Sequence, residues 1–247
     1  MRAMFPLRDD IDTRRTPWVT WAFIALNVAA FLWELTLGER LHDAFYDLGL
    51  VPAFYSDPQL SMDLTATEQV RPFLTSMFLH GGWTHVIGNL WMLWIFGDNV
   101  EDYLGHLRFV VFYLGAGVLA AVVHLVTNWG STVPTIGASG AIAGVMGAYF
   151  VLYPKARVLA VVPLFVILWP LVVPAVVFIG LWFLLQFLNG ASSLVAGMDG
   201  GVAWWAHIGG FVGGILLLGP LGLGRTRRQR AATGWPAGRL ERRQRFR

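Results

Sequence analysis

No charged residue interrupts the 31 residues from Val158 to Leu188. Five further apolar runs cover roughly residues 17–37, 83–96, 109–126, 136–153 and 202–221. A helix of about 20 apolar residues crosses the hydrocarbon core of a bilayer, and in lipid each backbone N–H and C=O must be bonded within its own segment. The pattern therefore predicts an all-α polytopic membrane protein.

The charge content of the chain agrees with this class. Only 13% of residues are charged, against about 25% in soluble domains. The absence of cysteine excludes disulfides, iron–sulfur clusters and thiolate catalysis. Nine of the eighteen basic residues lie between Arg225 and Arg247, behind an apolar run. We interpret this tail as a topology signal that faces anionic lipid, and we predict no nucleic-acid partner.

The basic residues also decide how often the chain crosses the membrane. If the 31-residue run crosses once, only Arg40 and Arg71 of the eighteen Lys and Arg residues fall on the opposite side from the rest. The side rich in Lys and Arg is cytoplasmic, whereas a second crossing would export the arginine-rich tail. We therefore predict six spans with both termini cytoplasmic. The expected parts are an N-terminal segment (1–15), a six-helix membrane domain (16–221) and a basic cytoplasmic tail (222–247).

A single crossing leaves part of the 31-residue run outside the fifth span. We expect Val158 to Trp169 to form an apolar lead-in at the membrane interface. Pro170 and Pro174 are expected to start the fifth helix, because proline is tolerated in the first turn.

Polar side chains occur at one depth in three of the predicted spans. Ser139 lies about one turn into the fourth span, His207 lies one to two turns into the sixth, and His85 and Asn89 lie on one face of the second at i, i+4 spacing. Because these three spans run from outside to inside, their first turns lie at the same outer face. At 1.5 Å per residue, Ser139 and His207 lie about 5–10 Å below the outer boundary. Polar groups inside a membrane are costly and usually face the bundle interior.

A serine beside a histidine is the minimal pair for nucleophilic catalysis on an acyl carbon. The imidazole takes the hydroxyl proton during attack and returns it to the leaving amine. Asp98, Glu101 and Asp102 lie at the other end of the second span, so a Ser–His dyad without a carboxylate is expected. Developing charge on the oxyanion needs donors, and Asn89, His85 and the Ser139 backbone N–H are candidates.

Each of these features also has a purely structural interpretation. Ser139 stands among Gly and Ala and could serve helix packing. Asn89 could bridge helices, and His207 could be a hydrogen-bonded interior residue. The GxxxG pairs Gly140–Gly144 and Gly210–Gly214 predict close helix contact whatever the function is.

Three segments together resemble the signature motifs of the rhomboid intramembrane serine proteases. These are HGGWTHVIGN (80–89), GASGAIAG (137–144) and AHIGGFVGG (206–214). They occur in the family's order, on spans two, four and six, and the likeness covers about residues 15–221. It implies a six-transmembrane-helix rhomboid-like bundle.

The resemblance also implies roles for individual residues. Ser139 matches the nucleophile and His207 the general base. His85 and Asn89 match the side chains that stabilise the oxyanion, and His80 matches the neighbouring histidine of that helix. The family uses no metal or organic cofactor. It also suggests substrate entry between spans two and five, where Trp91, Trp94, Trp182 and Phe187 are either gate residues or side chains that pack against lipid. We expect the glycine-rich outer loop 188–205 to cap the site.

Two positions depart from the family pattern. Rhomboids typically carry a Trp-Arg pair in the loop after span one, whereas here Arg71 follows Val70. Some members place an aromatic residue four positions after the nucleophile, against the histidine, and here that residue is Ala143. His207 must therefore be held in another way.

The resemblance implies an intramembrane serine endopeptidase that cleaves proteins in or beside a transmembrane helix, near the extracytoplasmic face. Its expected partners are transmembrane protein substrates and membrane lipids, and its expected location is a prokaryotic inner membrane. The alternative is a non-catalytic rhomboid-like membrane chaperone or transporter that binds transmembrane segments. The presence of both Ser139 and His207 favours the enzyme.

Overall fold

The computed structural model describes residues 5–164, 167–196 and 203–224, and most of these residues are helical. The basic tail from Arg225 onwards and Asp199 therefore lie outside the described residues, as does much of the suggested cap. The helices are α1 (Trp18–Glu34), α2 (Leu41–Leu48), α3 (Ala53–Ser56), α4 (Pro58–Ser61), α5 (Ala66–Val70), α6 (Pro72–Thr75), α7 (Trp83–Leu104), α8 (His106–Thr127), α9 (Ser139–Leu152), α10 (Ala175–Ala196) and α11 (Trp204–Leu221). The strands are β1 (Phe5–Asp9), β2 (Arg157–Leu164) and β3 (Ile167–Pro174).

Long helices lie where the sequence predicts the six spans: α1, α7, α8, α9, α10 and α11. Among the described residues, α8 and α11 are both long and apolar enough to cross a membrane, while three shorter apolar helices lie at Trp18–Glu34, Ser139–Leu152 and Ala175–Asn189. The mostly helical architecture is confirmed, and the number of crossings stays a prediction. Large apolar side chains are exposed along the outer faces of these helices, for example Leu107, Val111, Val122 and Val126 on α8. Such a surface suits lipid rather than water.

The prediction of an all-α fold is wrong in one region. Instead of an interfacial lead-in, the segment before α10 forms an antiparallel hairpin, and β1 adds a third strand in the order β1-β2-β3. The register pairs Arg157 with Pro174 and Val161 with Pro170. Proline inside a helix costs about 3 kcal/mol, whereas an edge strand such as β3 tolerates it. The fifth helix therefore begins at Ala175, directly after Pro174, and Pro170 belongs to a strand.

The sheet ties the N-terminal segment to the helices. Asp9 of β1 accepts hydrogen bonds from the Tyr149 hydroxyl and from the Asn99 amide at 2.8 Å. Burial raises the pKa of Asp9 to about 7, although the hydrogen bond from Tyr149 opposes the shift. The indole of Trp91 donates to the carbonyl oxygen of Pro6. Residues 5–9 thus pack against α7 and α9 rather than extending away from the membrane domain.

Carboxylates fix both ends of α1. Glu101 of α7 accepts the N–H groups of Val19 at 2.9 Å and Thr20 at 2.7 Å, and so satisfies donors that a helix start leaves free. At the other end, Glu34 accepts the N–H of His80 at 3.0 Å. The acidic end of α7 therefore lies at the start of α1, and α1 fixes the loop that precedes α7.

The helix α9 lies at the centre of the bundle, between α7, α8 and α11. All ten residues from Gly140 to Tyr149 are buried. Its contact with α11 is made by glycine: a Cβ placed on Gly210 would overlap the carbonyl oxygen of Gly140, and one on Gly214 would overlap that of Gly144. The predicted close approach of the two GxxxG pairs is confirmed, and it brings the first turns of α9 and α11 together.

Replacing Gly210 by alanine is expected to destabilise the fold by about 1–3 kcal/mol, because the added methyl group has only rigid backbone to displace. Thermal unfolding in detergent measures the loss. Gly88→Ala is the matched control, since its Cβ would meet no atom within 4 Å and alanine is the better helix former. Equal melting temperatures for the two variants would contradict the tight α9–α11 contact.

Candidate active site

The first residue of α9 and the fourth residue of α11 face each other. The hydroxyl Oγ of Ser139 lies 2.7 Å from Nε2 of His207, which is within hydrogen-bond reach for a nucleophile and its base. His207 is 7% exposed, and Ser139 is half-buried at the wall of a cavity. The structure therefore brings together the two residues that the sequence analysis selected on separate helices.

The other ring nitrogen of His207 has a partner that the sequence analysis missed. Nδ1 lies 2.8 Å from Oε1 of Gln186, a buried residue of α10. Trp182 lies one turn earlier on the same helix, with its ring centroid 5.8 Å from that of His207, and the ring of Trp204 lies 6.4 Å away. His207 is thus held by an amide and two indoles, while Ala143 contributes no ring. The available signal was Gln186 itself, a polar residue inside a 31-residue apolar run.

His85 of α7 lines the same cavity as Ser139. Its Nδ1 accepts the N–H of Gly81 at 3.3 Å. A neutral imidazole has one donor and one acceptor nitrogen, so Nε2 carries the hydrogen. That nitrogen lies against Gly137, where an added Cβ would be 2.7 Å from it and 3.6 Å from the Ser139 hydroxyl. His85 therefore presents an N–H group next to the nucleophile.

Asn89 lines the same cavity, one turn further along α7. It is 7% exposed, and its amide nitrogen Nδ2 has no hydrogen-bond partner within the described part of the chain. A buried unpaired donor costs roughly 1–3 kcal/mol. Such a cost is typical of a group kept for a ligand, since structural amides are nearly always bonded.

His80 is not among the residues that line the cavity. It lies in the loop before α7, is 1% exposed, and packs its ring against that of His85 with centroids 5.1 Å apart. Its backbone N–H is bonded to Glu34, and its Nδ1 lies 3.2 Å from the carbonyl oxygen of Phe78. His80 therefore supports the ring of His85 without lining the cavity, and its direct role in stabilising the substrate stays a prediction.

The cavity in front of Ser139 has a volume of about 1180 Å³. Its wall combines His85, Asn89, Gln186 and His207 with aromatic side chains from α7, α10 and the start of α11. Of the suggested gate residues, Trp91 and Trp182 line it, whereas Trp94 and Phe187 are exposed side chains. The N-terminal strand also reaches it through Phe5 and Pro6.

The segment that carries Ser139 is anchored from both sides. Thr135 pairs with Leu50 through two backbone hydrogen bonds of 2.8 and 3.0 Å, and the Gly137 N–H donates to the Ser76 carbonyl at 2.8 Å. Arg71, which matches the family pattern only in part, donates to the carbonyl oxygen of Asp47 at 3.1 Å and joins the same loop region. The loop after α1 therefore holds the segment before Ser139 in position through backbone hydrogen bonds.

Comparison with known proteins places these observations in a family. The family model described as the Rhomboid domain matches residues 67–223, more than half of the chain. The chain is 30% identical over 210 residues to the rhomboid protease GluP of Bacillus subtilis, covering 84% of this chain and 35% of that protein. It is 31% identical over 137 residues to presenilin-associated rhomboid-like protein A, mitochondrial, of Danio rerio, covering 54% and 32%. The chain thus spans about a third of the length of these curated relatives.

A further relative is rhomboid protein 1, mitochondrial, of Saccharomyces cerevisiae, which is 28% identical over 206 residues, covering 80% of this chain and 51% of that protein. Because the relatives include bacterial and mitochondrial proteins, location in a prokaryotic inner membrane stays a prediction. The matching family model, the relatives and the mostly helical fold all agree. This integral membrane protein therefore belongs to the rhomboid family.

Proposed function

We propose that the chain is an intramembrane serine endopeptidase. The observation that carries the proposal is the 2.7 Å contact between the Ser139 hydroxyl and Nε2 of His207, at the wall of a cavity large enough for a peptide. A serine that served only helix packing would need neither a histidine partner nor a cavity. The name of the Bacillus subtilis relative, a rhomboid protease, agrees with this function.

The reaction follows from the positions of the polar atoms. Oγ of Ser139 attacks the carbonyl carbon of the scissile bond while its proton passes to Nε2 of His207. The resulting oxyanion is stabilised by the N–H of His85, by the unpaired amide of Asn89 and by the N–H of Ser139 at the helix start. The C–N bond then breaks as His207 returns the proton to the amine. Water repeats these steps on the ester and frees the serine.

The proposed placement in the membrane follows from the length of α9. Its 14 residues span about 21 Å, which is less than the hydrocarbon core of about 30 Å. A helix that is buried by its neighbours does not need to reach both surfaces. With six spans and cytoplasmic termini, Ser139 lies below the extracytoplasmic boundary. The non-helical segment in front of it lines the cavity, where irregular backbone is tolerated at membrane depth.

The proposed substrates are membrane proteins cut in or near a transmembrane segment. A helical peptide bond is buried in its own hydrogen bonds, so the segment must unwind before Ser139 can attack it. Unwinding costs least where Gly, Pro or other weak helix formers occur. The exposed apolar faces of α8 and α10 present the protein to lipid and to helical substrates alike.

A fluorophosphonate serine probe tests the reaction class without a known substrate. We expect the purified protein in detergent to be labelled, and both Ser139→Ala and His207→Ala to lose the label. Ser131→Ala is the matched control, because Ser131 lines the same cavity and its hydroxyl accepts the N–H of Val133 at 3.3 Å, within its own loop. Absence of labelling in the folded wild-type protein would favour the non-catalytic alternative, a chaperone or transporter.

A further inference from the structure

We propose that Gln186 is the positioning residue for His207, so that the site works as a Ser–His–Gln triad in place of a Ser–His dyad. The proposal rests on the proposed protease function and assigns to α10 a direct part in setting up the reaction. Gln186 acts through the imidazole of His207, with which it shares a hydrogen bond.

The hydrogen bond between Gln186 and His207 selects one tautomer of the histidine. The amide oxygen Oε1 can only accept, so Nδ1 of His207, 2.8 Å away, must carry the hydrogen. The lone pair of the neutral ring is then on Nε2, 2.7 Å from the Ser139 hydroxyl. In the other tautomer Nε2 would be protonated and could not take the proton of Ser139. Tautomer control of this kind is the role of the aspartate in a serine protease triad.

The neighbouring side chains cannot supply this control. Ala143 is buried, but its methyl group cannot stack on the ring. The indoles of Trp182 and Trp204 flank His207 and restrict its plane. Stacking does not distinguish the two ring nitrogens, whereas a hydrogen-bond acceptor does. Phe178, Trp182 and Gln186 recur every four residues along α10 and line the cavity, so this stripe of α10 presents the acceptor to α11.

The choice of an amide instead of a carboxylate follows from the surroundings of position 186. Gln186 is 9% exposed, and neighbouring side chains of α10 are exposed apolar residues that suit lipid. An ionised carboxylate at this depth is expensive to desolvate. A neutral amide fixes the tautomer without that cost. Among the residues that the structure describes, the titratable groups that act on His207 are His85 of α7 and His124 of α8, and the substitutions below leave both in place.

Three substitutions separate positioning from packing. Gln186→Leu removes the acceptor and keeps a side chain of similar size, and it is expected to lower kcat about 10- to 100-fold with little change in KM. Gln186→Asn is too short to reach Nδ1 and should behave similarly. Gln186→Glu restores an acceptor and should recover most of the activity, with the rising limb of the pH profile displaced upward by about one pH unit because an anion favours the imidazolium. Leu184→Ala, at an exposed position of the same helix, is the control.

A measurement that needs no activity accompanies the kinetics. In protein labelled with ¹⁵N-histidine, the ring nitrogens of His207, assigned by comparison with His207→Ala, should report Nδ1–H in the wild type at alkaline pH and a mixture of tautomers in Gln186→Leu. An Nε2–H wild type, or a tautomer that does not respond to Gln186→Leu, overturns the proposal even if the protein proves inactive. Wild-type activity in Gln186→Leu with an unchanged pH profile overturns it while leaving the protease function intact.

Discussion

Replacing Ser139 or His207 by alanine is expected to reduce cleavage of a transmembrane reporter by about 10⁴-fold or more, and the double variant is expected to be no worse than either single one. The two side chains act as one unit across the 2.7 Å contact between α9 and α11. Without Nε2 the hydroxyl keeps its proton, and without the hydroxyl the imidazole has no proton to take. The losses are therefore not additive.

Initial rates for the wild type, both single variants and the double variant in one lipid composition measure this effect. Ser131→Ala, in the same cavity wall, should retain activity and shows that the loss is specific to Ser139. The wild type should also cleave in the presence of a chelator, since none of the proposed steps uses a metal. Residual turnover in Ser139→Ala above the blank, or a double variant much slower than either single one, would exclude the proposed Ser139–His207 dyad.

Much of the helical framework is predictable from the sequence because each apolar run must satisfy its own backbone. The helices α1, α7, α8, α9 and α11 begin or end within a few residues of the predicted spans. The predicted relative depth of Ser139, His207 and His85 follows from counting residues at 1.5 Å each along helices whose direction the distribution of basic residues predicts. For these reasons, most of the candidate site is predictable from the positions of its residues in the sequence.

The sheet is not predictable by the same reasoning, because apolarity does not distinguish a lipid-facing helix from a strand. The local signals were the prolines at 163, 170 and 174 and the density of valine between them. The pairing partner β1 lies more than 140 residues away in the sequence, and only the folded chain brings Phe5 opposite Val161. A register of this kind depends on tertiary contact rather than on any local pattern.

The orientation of His207 also required the structure. Ala143 indicates what is missing from the usual arrangement, but it does not indicate the replacement. Gln186 lies on α10, whose start was predicted at Pro170 and is found at Ala175. The helix face on which Gln186 lies could therefore not be predicted by counting residues along the sequence. The distance between Gln186 and Nδ1 of His207 depends on how α10 is rotated about its axis. Packing of α10 against α9 and α11 sets this rotation.

Gly137→Ala is expected to lower turnover by about 10²-fold, the effect of losing one oxyanion donor. The added methyl group would lie 2.7 Å from Nε2 of His85 and 3.6 Å from the Ser139 hydroxyl. It would displace the imidazole from its position beside Ser139. Gly137 also has φ +129°, which an L-residue rarely adopts, so the substitution adds backbone strain.

Gly130→Ala separates the strain from the steric effect. Its φ of +88° is equally unfavourable for alanine, but the nearest atom to its Cβ would be the Ser56 hydroxyl at 4.0 Å. Thermal unfolding should report similar destabilisation of both variants, while only Gly137→Ala loses activity at temperatures where both are folded.

Adding Gly137→Ala to a His85→Ala background should cost little, because the ring that the methyl group displaces is then gone. Full activity in Gly137→Ala, or equal losses in the His85 and His85→Ala backgrounds, would mean that the oxyanion is stabilised elsewhere and that His85 serves the packing of α7.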